Sequence, residues 1–397
     1  MPTVVIIGAG FSGCAAALAA AKAGAEVILV EKTDMLAGLA VLTGVLDANG
    51  NLTASLEAKA MGGGDLFEAC ESVTLHEIEG IKKLGLKHIR LFNVLAIEGV
   101  VARALADAGV KVRLKTRAKG VKMKGDSIAR IVLQDQSAID AASFVDATGG
   151  SGTVAQCAKY GYGCVMCIMR CPTFGNRVSI SEQAGVKELF GRRLDGTIGA
   201  LSSAFNLVKG SLSPEIRSEL ERSGYILIPL PRHLIDYEKL GMITASENAR
   251  PEFIENMRVV DNGYAKVSVH GFMPLDQLHS IAGFENARMA DPLSGGIGNA
   301  VRCLAMAPRD NGMRVEGLAN LYCAGEKAGP QSGLPAAIIT GLVAGHNAVR
   351  NALGKEDLVL PRNLASGDFI AFEKEKMGSE EGLKYRYGFS GRLYFQR

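Results

Sequence analysis

A doubly wound parallel α/β sheet, with a small antiparallel β insertion and an inserted α+β domain, is the fold class that three stretches predict. The first is Val4–Lys32, where a short apolar run breaks into Gly8-Ala-Gly10-Phe-Ser-Gly13 and an alanine-rich segment follows. The second is Ser143-Phe-Val145, running into Asp146-Ala-Thr148-Gly149-Gly150. The third is Leu321-Tyr-Cys-Ala-Gly325, followed by a long apolar stretch from Ala336 to Ala352. Each reads as a buried strand entering glycine, and alternation of such strands with helices is the mark of a parallel sheet.

The opening stretch carries the most information. Val4–Ile7 is too short for a helix and apolar throughout, as a strand covered on both faces must be. Gly8, Gly10 and Gly13 have the G-x-G-x-x-G spacing. In that spacing the first glycine permits a tight turn, the second lets backbone approach a pyrophosphate, and the third lets helix pack on strand. A helix over Ala15–Ala23, closed by Gly24, would point its free N–H groups and positive dipole end at phosphates. A second strand, Glu26–Val30, ends at Glu31 and Lys32. Glu31 stands about twenty residues past the glycines, where a ribose hydroxyl is held. A purely structural βαβ turn is the competing reading. The complete order of strand, glycines, helix, strand and acid favours a Rossmann-like dinucleotide site, and the motif by itself does not separate FAD from NAD.

Composition sets the outer limits. The chain has 397 residues, 48% hydrophobic and 21% charged, as expected of a compact protein with room for two or three cores. A net charge of +3 is too small to argue for a nucleic-acid partner, and no tryptophan is present for base stacking. No apolar run reaches membrane-spanning length, and no charged leader with an apolar core precedes the first strand. The expected location is therefore cytoplasmic, with no membrane partner. Eight cysteines in such a compartment should be thiols or metal ligands, not a disulfide framework.

Further along, Ala37–Gly50 reads as a loop of small residues, before a helical stretch holding Met61-Gly-Gly-Gly64. Those glycines either let backbone approach a flat ring or belong to a surface loop. Ile97–Ala108 is an amphipathic helix and Val110–Leu114 a strand. Gly120–Met123 and Ile128–Leu133 form a hairpin turning at Lys124-Gly125-Asp126. The expected domains are 1–150 and 316–355 for the dinucleotide-binding part, 151–315 for a substrate or cap part, and 356–397 for a C-terminal tail. In the middle part, Pro214–Ser223 reads as a helix starting at proline, and Tyr225–Leu230 as a strand. The tail from Lys384 onward, rich in tyrosine and basic residues, is expected to pack on the body, although contact with RNA is the other reading.

The residues that could perform chemistry are few. Cys164, Cys167 and Cys171 form C-x-x-C-x-x-x-C before Pro172. Three readings stand: a metal or cluster site needing a fourth ligand from Cys157, Cys303 or a histidine; a reactive thiol beside a cofactor; and plain packing. His233, between Arg232 and Asp236, is a candidate acid or base. No dedicated metal site is expected from the histidines. Neither a G-x-S-x-G elbow nor a G-x-x-x-x-G-K-[ST] loop occurs, so hydrolase and triphosphatase readings lack support.

Taken together, the three strand–glycine stretches resemble FAD-binding flavoproteins of the glutathione-reductase type. Val145-Asp-Ala-Thr-Gly149 is similar to their second FAD signature, and the late Ala324-Gly325 strand to their third. The chain further resembles the GidA/TrmFO flavoproteins that modify tRNA uridine. Gln277-Leu-His-Ser-Ile-Ala-Gly-Phe-Glu-Asn-Ala287 is similar to that family's S-I-P-G-L-E-N-A stretch. Gly341-Leu-Val-Ala-Gly-His-Asn-Ala348 is similar to its G-L-L-A-G-I-N-A, and Arg170-Cys171-Pro172 to its Cys-Pro element.

The resemblance implies FAD held by Gly8, Gly10, Phe11, Ser12, Gly13, Glu31, Lys32, Ala118, Thr148, Gly149, Gly325, Glu326 and Gly333. Ala118 matches the position whose backbone meets adenine. Cys171 is the thiol it places by the flavin, and Cys167 and Cys164 are second candidates for a thiol acting there. The family's second cysteine has no counterpart in Asp34–Val45, and Gly333-Leu-Pro-Ala-Ala337 stands where the family carries acids. The implied function is an FAD-dependent oxidoreductase passing hydride or electrons between a small-molecule substrate and FAD. NAD(P)H or a protein is the expected electron donor, and a homo-oligomer is compatible. The alternatives are an FAD- and folate-dependent tRNA or rRNA uridine-modifying enzyme, a flavin/iron–sulfur electron-transfer subunit, and a flavoprotein scaffold without turnover.

Overall fold

The computed structural model describes all residues except 49, 82–85, 151–172, 202–203, 238–251, 269–272, 291–300 and 396–397. At its centre is a five-stranded parallel sheet of β1 (Thr3–Ile7), β2 (Glu26–Val30), β3 (Lys111–Arg113), β4 (Ser143–Asp146) and β5 (Leu321–Cys323). The strand order is β5-β4-β1-β2-β3. The chain leaves β1 toward β2 on one side and later returns to β4 on the other. The crevice at the carboxyl end of β1 is thus a topological switch point, where open α/β sheets bind ligands. Ile7 lies level with Val30 and with Asp146, and Asp146 with Cys323, so these four strand ends meet at one edge.

Two helices flank this sheet and touch backbone to backbone. They are α1 (Phe11–Lys22) and α2 (Leu334–Ala352). A Cβ added to Gly341 would lie 2.2 Å from the Ser12 carbonyl oxygen, and one on Gly345 would lie 2.1 Å from that of Ala16. The alanines of α1 and the G-x-x-x-G of α2 are therefore a close-packing pair: larger side chains would push α2 off the glycine turn that α1 begins.

The expected hairpin forms as Ala118–Lys124 and Ser127–Leu133, turning through Gly125 at φ 64°. A third strand, Ala138–Asp140, extends this antiparallel insertion, which sits on the crossover from β3 to β4. The stretch read as a small-residue loop contains a short helix, Ala40–Thr43, and a strand, Val45–Ala48. That strand pairs with Leu86–Phe92, which pairs in turn with Thr74–Ile81. Met61–Gly64 separates two helices, Gly50–Ala60 and Asp65–Glu71.

The middle of the chain builds a four-stranded antiparallel sheet in the order Ala204–Leu207, Ala265–Ser268, Asn256–Asp261, Tyr225–Pro229. Helix Pro214–Ser223 starts and stops where its sequence says it should. Ser213 Oγ accepts from the Ile216 N–H, proline follows at once, and Gly224 closes the helix at φ 76°. It buries Ile216 and Leu220 against one face of the sheet, with Met257, Val259, Val267 and Leu278. The opposite face carries Val260, which packs with Ile89 and Leu91 of the three-stranded sheet.

At the C-terminus a helix, Ala365–Met377, is followed by a tail that packs as expected. Phe369, Phe372, Tyr387, Phe389 and Tyr394 interlock in stacked and edge-on pairs.

Candidate cofactor and substrate cavity

The carboxyl edge of the parallel sheet opens into a cavity of about 530 Å³. Of the residues expected to touch a dinucleotide, Gly8, Gly10, Phe11, Ser12, Glu31, Lys32, Ala118, Thr148, Gly149, Gly325, Glu326 and Gly333 all line it. Gly13 does not.

The three motif glycines have separable duties. Gly8 turns at φ 103°, and a Cβ there would strike the Ala147 carbonyl oxygen at 2.3 Å. Gly13 is a packing glycine, because a Cβ would lie 1.8 Å from the Gly8 oxygen. Gly10 differs from both: a Cβ there would meet no protein atom within 4 Å. Its bare backbone borders open cavity, which is the room a pyrophosphate needs.

Two helix N-termini converge on that room. Gly10 caps α1 and Gly333 caps α2, and neither helix receives a side-chain cap. The first N–H groups of a helix have no intrahelical partner, so both termini present donors and a positive dipole end to the cavity. At the edge of the turn, Glu31 Oε2 accepts the Ala9 N–H at 2.9 Å and Oε1 the Thr33 N–H at 2.8 Å. The carboxylate ties the glycine turn to the end of β2, and each oxygen still has a lone pair for a hydroxyl donor. Lys32 Nζ donates to the Gly175 carbonyl at 2.9 Å. Ala118 is buried at the head of the antiparallel insertion.

Asp146, buried at the end of β4, organises the second signature rather than facing a ligand. Its Oδ1 accepts from the Thr148 N–H and hydroxyl, and its Oδ2 from the Ser181 N–H and hydroxyl. Four donors keep the carboxylate satisfied and set the turn through Gly149, at φ 81°. In the third signature, Gly325 at φ 67° passes over Ser12, whose Oγ would lie 2.4 Å from an added Cβ. Its N–H donates to Thr340 Oγ1 at 3.0 Å, and its carbonyl accepts from the Gln331 side chain. Glu326 is held by Arg386 of the C-terminal tail, Oε1 to Nη2 at 2.5 Å.

Several wall residues carried no signal in the sequence. Asn51 Oδ1 and Gln331 Oε1 are buried on the cavity wall with no hydrogen-bond partner among the described residues. Buried acceptors left this way cost about 1–3 kcal/mol each, so they call for a donor from a ligand. Arg386 lies some sixty residues past Glu326, and no local motif announces it. Asn206, Arg258 and Lys266 of the four-stranded sheet complete the far wall.

Cys164, Cys167 and Cys171 lie outside the described residues, as does Cys157. The described cysteines, Cys14, Cys70, Cys303 and Cys323, are all buried. Burial pushes the Cys14 thiol up to about 12 and that of Cys323 further still, so neither is a thiolate at neutral pH. Among the described residues no group of three or more His, Cys, Asp and Glu side chains is placed to hold a metal. His233 is exposed and does not line the cavity. No described helix is long and apolar enough to cross a membrane.

The geometry fits an extended dinucleotide: an open glycine turn, two uncapped helix termini, a carboxylate at the second strand and unpartnered acceptors on the wall. Comparison with known proteins decides which one. The family model described as FAD dependent oxidoreductase matches residues 3–164, and that described as glucose inhibited division protein A matches residues 261–356. The chain is an FAD-dependent oxidoreductase with a GidA-like segment over residues 261–356. Its cofactor is FAD.

Among solved structures, the flavoprotein is similar to Aquifex aeolicus GidA in its form II crystal. The TM-score is 0.69 at 15% identity, covering 94% of this chain and 67% of that one. The form I crystal gives 0.66 at 14%, covering 94% and 70%. A geranylgeranyl bacteriochlorophyll reductase-like protein from Thermoplasma acidophilum gives 0.51 at 16%, covering 97% and 90%. At these identities the likeness is one of fold. No curated protein matches the chain.

Proposed function

We propose that this flavoprotein passes hydride or electrons between a small-molecule substrate and FAD, with the substrate entering against the four-stranded sheet. The observation that carries this reading is the single cavity shared by the glycine turn, the N-terminus of α2 and the sheet residues Asn206, Arg258 and Lys266. Bound there, FAD supplies reversible two-electron chemistry at its ring. The chain's own residues then bind, orient and shield. Gly8, Gly10, Phe11 and Ser12 would hold the pyrophosphate, Glu31 the ribose and the Ala118 backbone the adenine. Thr148, Gly149, Gly325, Glu326 and Gly333 would frame the other end, with Lys32 at the rim. Asn51 Oδ1 and Gln331 Oε1 would accept from N–H groups of the ring. The dipole of α2 would stabilise negative charge near Gly333.

Cys171 is the thiol we assign to act beside the ring as nucleophile, proton donor or redox partner, and Cys167 and Cys164 are second candidates. The test is anaerobic reduction of the FAD-loaded protein by NADH, NADPH or dithionite, followed by reoxidation with candidate acceptors. Cys171→Ser should retain FAD and reduction by dithionite while losing turnover. Full turnover by Cys171→Ser would remove the thiol from the reaction. Failure of the bound FAD to reoxidise with any small acceptor would overturn the small-substrate reading.

The match over residues 261–356 favours a second reading, uridine modification in tRNA or rRNA with a folate donor. Salt-sensitive RNA binding together with methyl transfer from methylene-folate would replace the first reading with this one.

A further inference from the structure

The side-chain alternation of the four-stranded sheet separates two faces. Leu207, Met257, Val259, Ala265 and Val267 point into a hydrophobic core with helix Pro214–Ser223. Asn206 and Lys266 alternate with these residues and line the cavity. The two are register partners on neighbouring strands. Side chains directly opposite on one face of an antiparallel pair have Cβ atoms about 4.5–5.5 Å apart. The register thus sets an amide and an amine side by side, and they are only 4% and 7% exposed.

The hydrogen bonds around this pair fix which of its atoms are left over. Asn262 Oδ1 accepts the Tyr264 N–H at 3.1 Å, so the Asn262 Nδ2 is a donor. It donates to the Leu42 carbonyl at 3.4 Å and to the Asn206 side chain at 3.3 Å. Asn206 must meet that donor with its Oδ1, which leaves its own Nδ2 for another partner. That NH2 group finds no acceptor among the described residues. Lys266 Nζ donates to the Thr43 carbonyl at 2.6 Å, its one side-chain bond among the described residues. Even an uncharged amine has a second N–H to give. Buried donors without an acceptor are costly, so two of them side by side call for one from a ligand.

The acceptors at this spot are already engaged, Asn206 Oδ1 by Asn262 and the Thr43 carbonyl by Lys266. The spot therefore offers hydrogens and asks for lone pairs. A carbonyl oxygen, with two lone pairs and no proton, answers both donors. Burial and the neighbouring Arg258 bring the Lys266 amine down to about 7, so near neutral pH it offers an N–H more than a counter-charge. Val260, the register partner of Lys266 on its other side, packs with Ile89 and Leu91 as an apolar stretch of the same cavity wall.

We propose that Asn206 Nδ2 and Lys266 Nζ form a two-donor subsite for a carbonyl oxygen, and that small, uncharged carbonyl compounds with an apolar body are the substrate class of this oxidoreductase. The oxygen lies between the two nitrogens and the body against Ile89, Leu91 and Val260. This deepens the small-substrate reading and rests on it.

The experiment uses FAD-loaded full-length protein with acetophenone as probe and 2-phenylpropene, which has a methylene in place of the oxygen, as its isostere. Binding is read by calorimetry and by perturbation of the flavin absorbance. Acetophenone should bind at least tenfold more tightly than 2-phenylpropene. Its carbonyl stretch, read by infrared with a carbon-13 label, should fall below the value in hexane. Asn206→Asp keeps an acceptor for Asn262 but has no NH2 group, and should weaken acetophenone at least tenfold at near wild-type FAD content and melting temperature. Lys266→Met should weaken it likewise if it folds without the bond to Thr43. Should neither variant fold, the two probes on the wild type decide the matter. Equal binding of the probes, no acetophenone binding, a stretch at the hexane value, or a folded variant that binds acetophenone normally would each overturn the subsite. Failure of the redox reading is a separate result: FAD that cannot be reduced and reoxidised while acetophenone still binds.

Discussion

Gly10 and Gly13 stand three residues apart in one motif, yet they answer to different forces. An added methyl at Gly13 would have to occupy the position of the Gly8 carbonyl, 1.8 Å away, whereas at Gly10 it would enter open cavity. Gly13→Ala should therefore abolish soluble folded protein. Gly10→Ala should fold with a normal far-ultraviolet circular dichroism spectrum and lose FAD affinity about tenfold or more, near 1.4 kcal/mol. Equal FAD affinity in Gly10→Ala and wild type would show that the turn does not approach the phosphates.

A second residue speaks to stability instead of binding. Glu373 is fully buried, neither carboxyl oxygen has a hydrogen-bond partner among the described residues, and Oε2 stands 3.6 Å from Nη2 of buried Arg309. Burial pushes its carboxyl from 4.5 up to about 8. A raised value means the folded protein keeps a proton that the unfolded chain releases. The contribution to stability is whole below about pH 4.5 and is lost as pH rises through about 8. Glu373→Gln stays neutral, so its stability relative to wild type should climb across that window and level off above it. The gain should be on the order of 3–5 kcal/mol, read by urea unfolding at several pH values. Parallel pH curves for the two proteins would contradict the assignment.

At the scale of elements, the pairing of α1 with α2 decides whether the glycine turn and the third signature meet. Their separation is set by Gly341 and Gly345, which leave no room for a side chain against the backbone of α1. Gly345→Ala should cost about 3 kcal/mol in denaturant unfolding and weaken FAD by displacing the N-terminus of α2. A loss below about 0.5 kcal/mol would mean the helices yield freely.

Elements with short-range signatures were legible in the sequence: β1, β2, α1, the helix from Pro214 and the hairpin at Gly125 are all specified by local caps, turns and apolar runs. Others were not. Thr74–Ile81 reads Thr-Leu-His-Glu-Ile-Glu-Gly-Ile, and what makes it a strand is pairing with Leu86–Phe92, not its own composition. Ala138–Asp140 is too short to show alternation. The same divide runs through the site. Gly8, Gly10, Glu31 and Thr148 lie in local motifs, whereas Asn51, Gln331, Arg386, Arg258 and Lys266 reach the cavity only through tertiary packing. Their sequence neighbours hold no trace of it.

At the scale of the whole molecule, the C-terminal tail closes the structure over its cofactor end. The Tyr387 N–H donates to the Pro330 carbonyl at 2.9 Å, and the Ser332 N–H donates to the Tyr387 carbonyl at 2.7 Å. Arg386 adds bonds to Glu326 and to the Gln331 carbonyl. The loop from Gly325 to Gly333 is thereby clamped by residues more than fifty positions away in sequence. Arg386→Ala should leave the melting temperature of the FAD-free protein nearly unchanged and speed FAD release several-fold. An unaltered release rate would show that the clamp does not reach the cofactor.

The account turns on FAD occupying the cavity between the glycine turn and the N-terminus of α2. Titrating FAD-free, folded protein with FAD while recording visible absorbance and melting temperature tests this most directly. The predicted result is one FAD per chain, a perturbed flavin spectrum and a rising melting temperature, as binding to the native state alone requires, with the response weakened in Gly10→Ala. Folded protein that neither binds FAD nor gains stability from it would contradict the account.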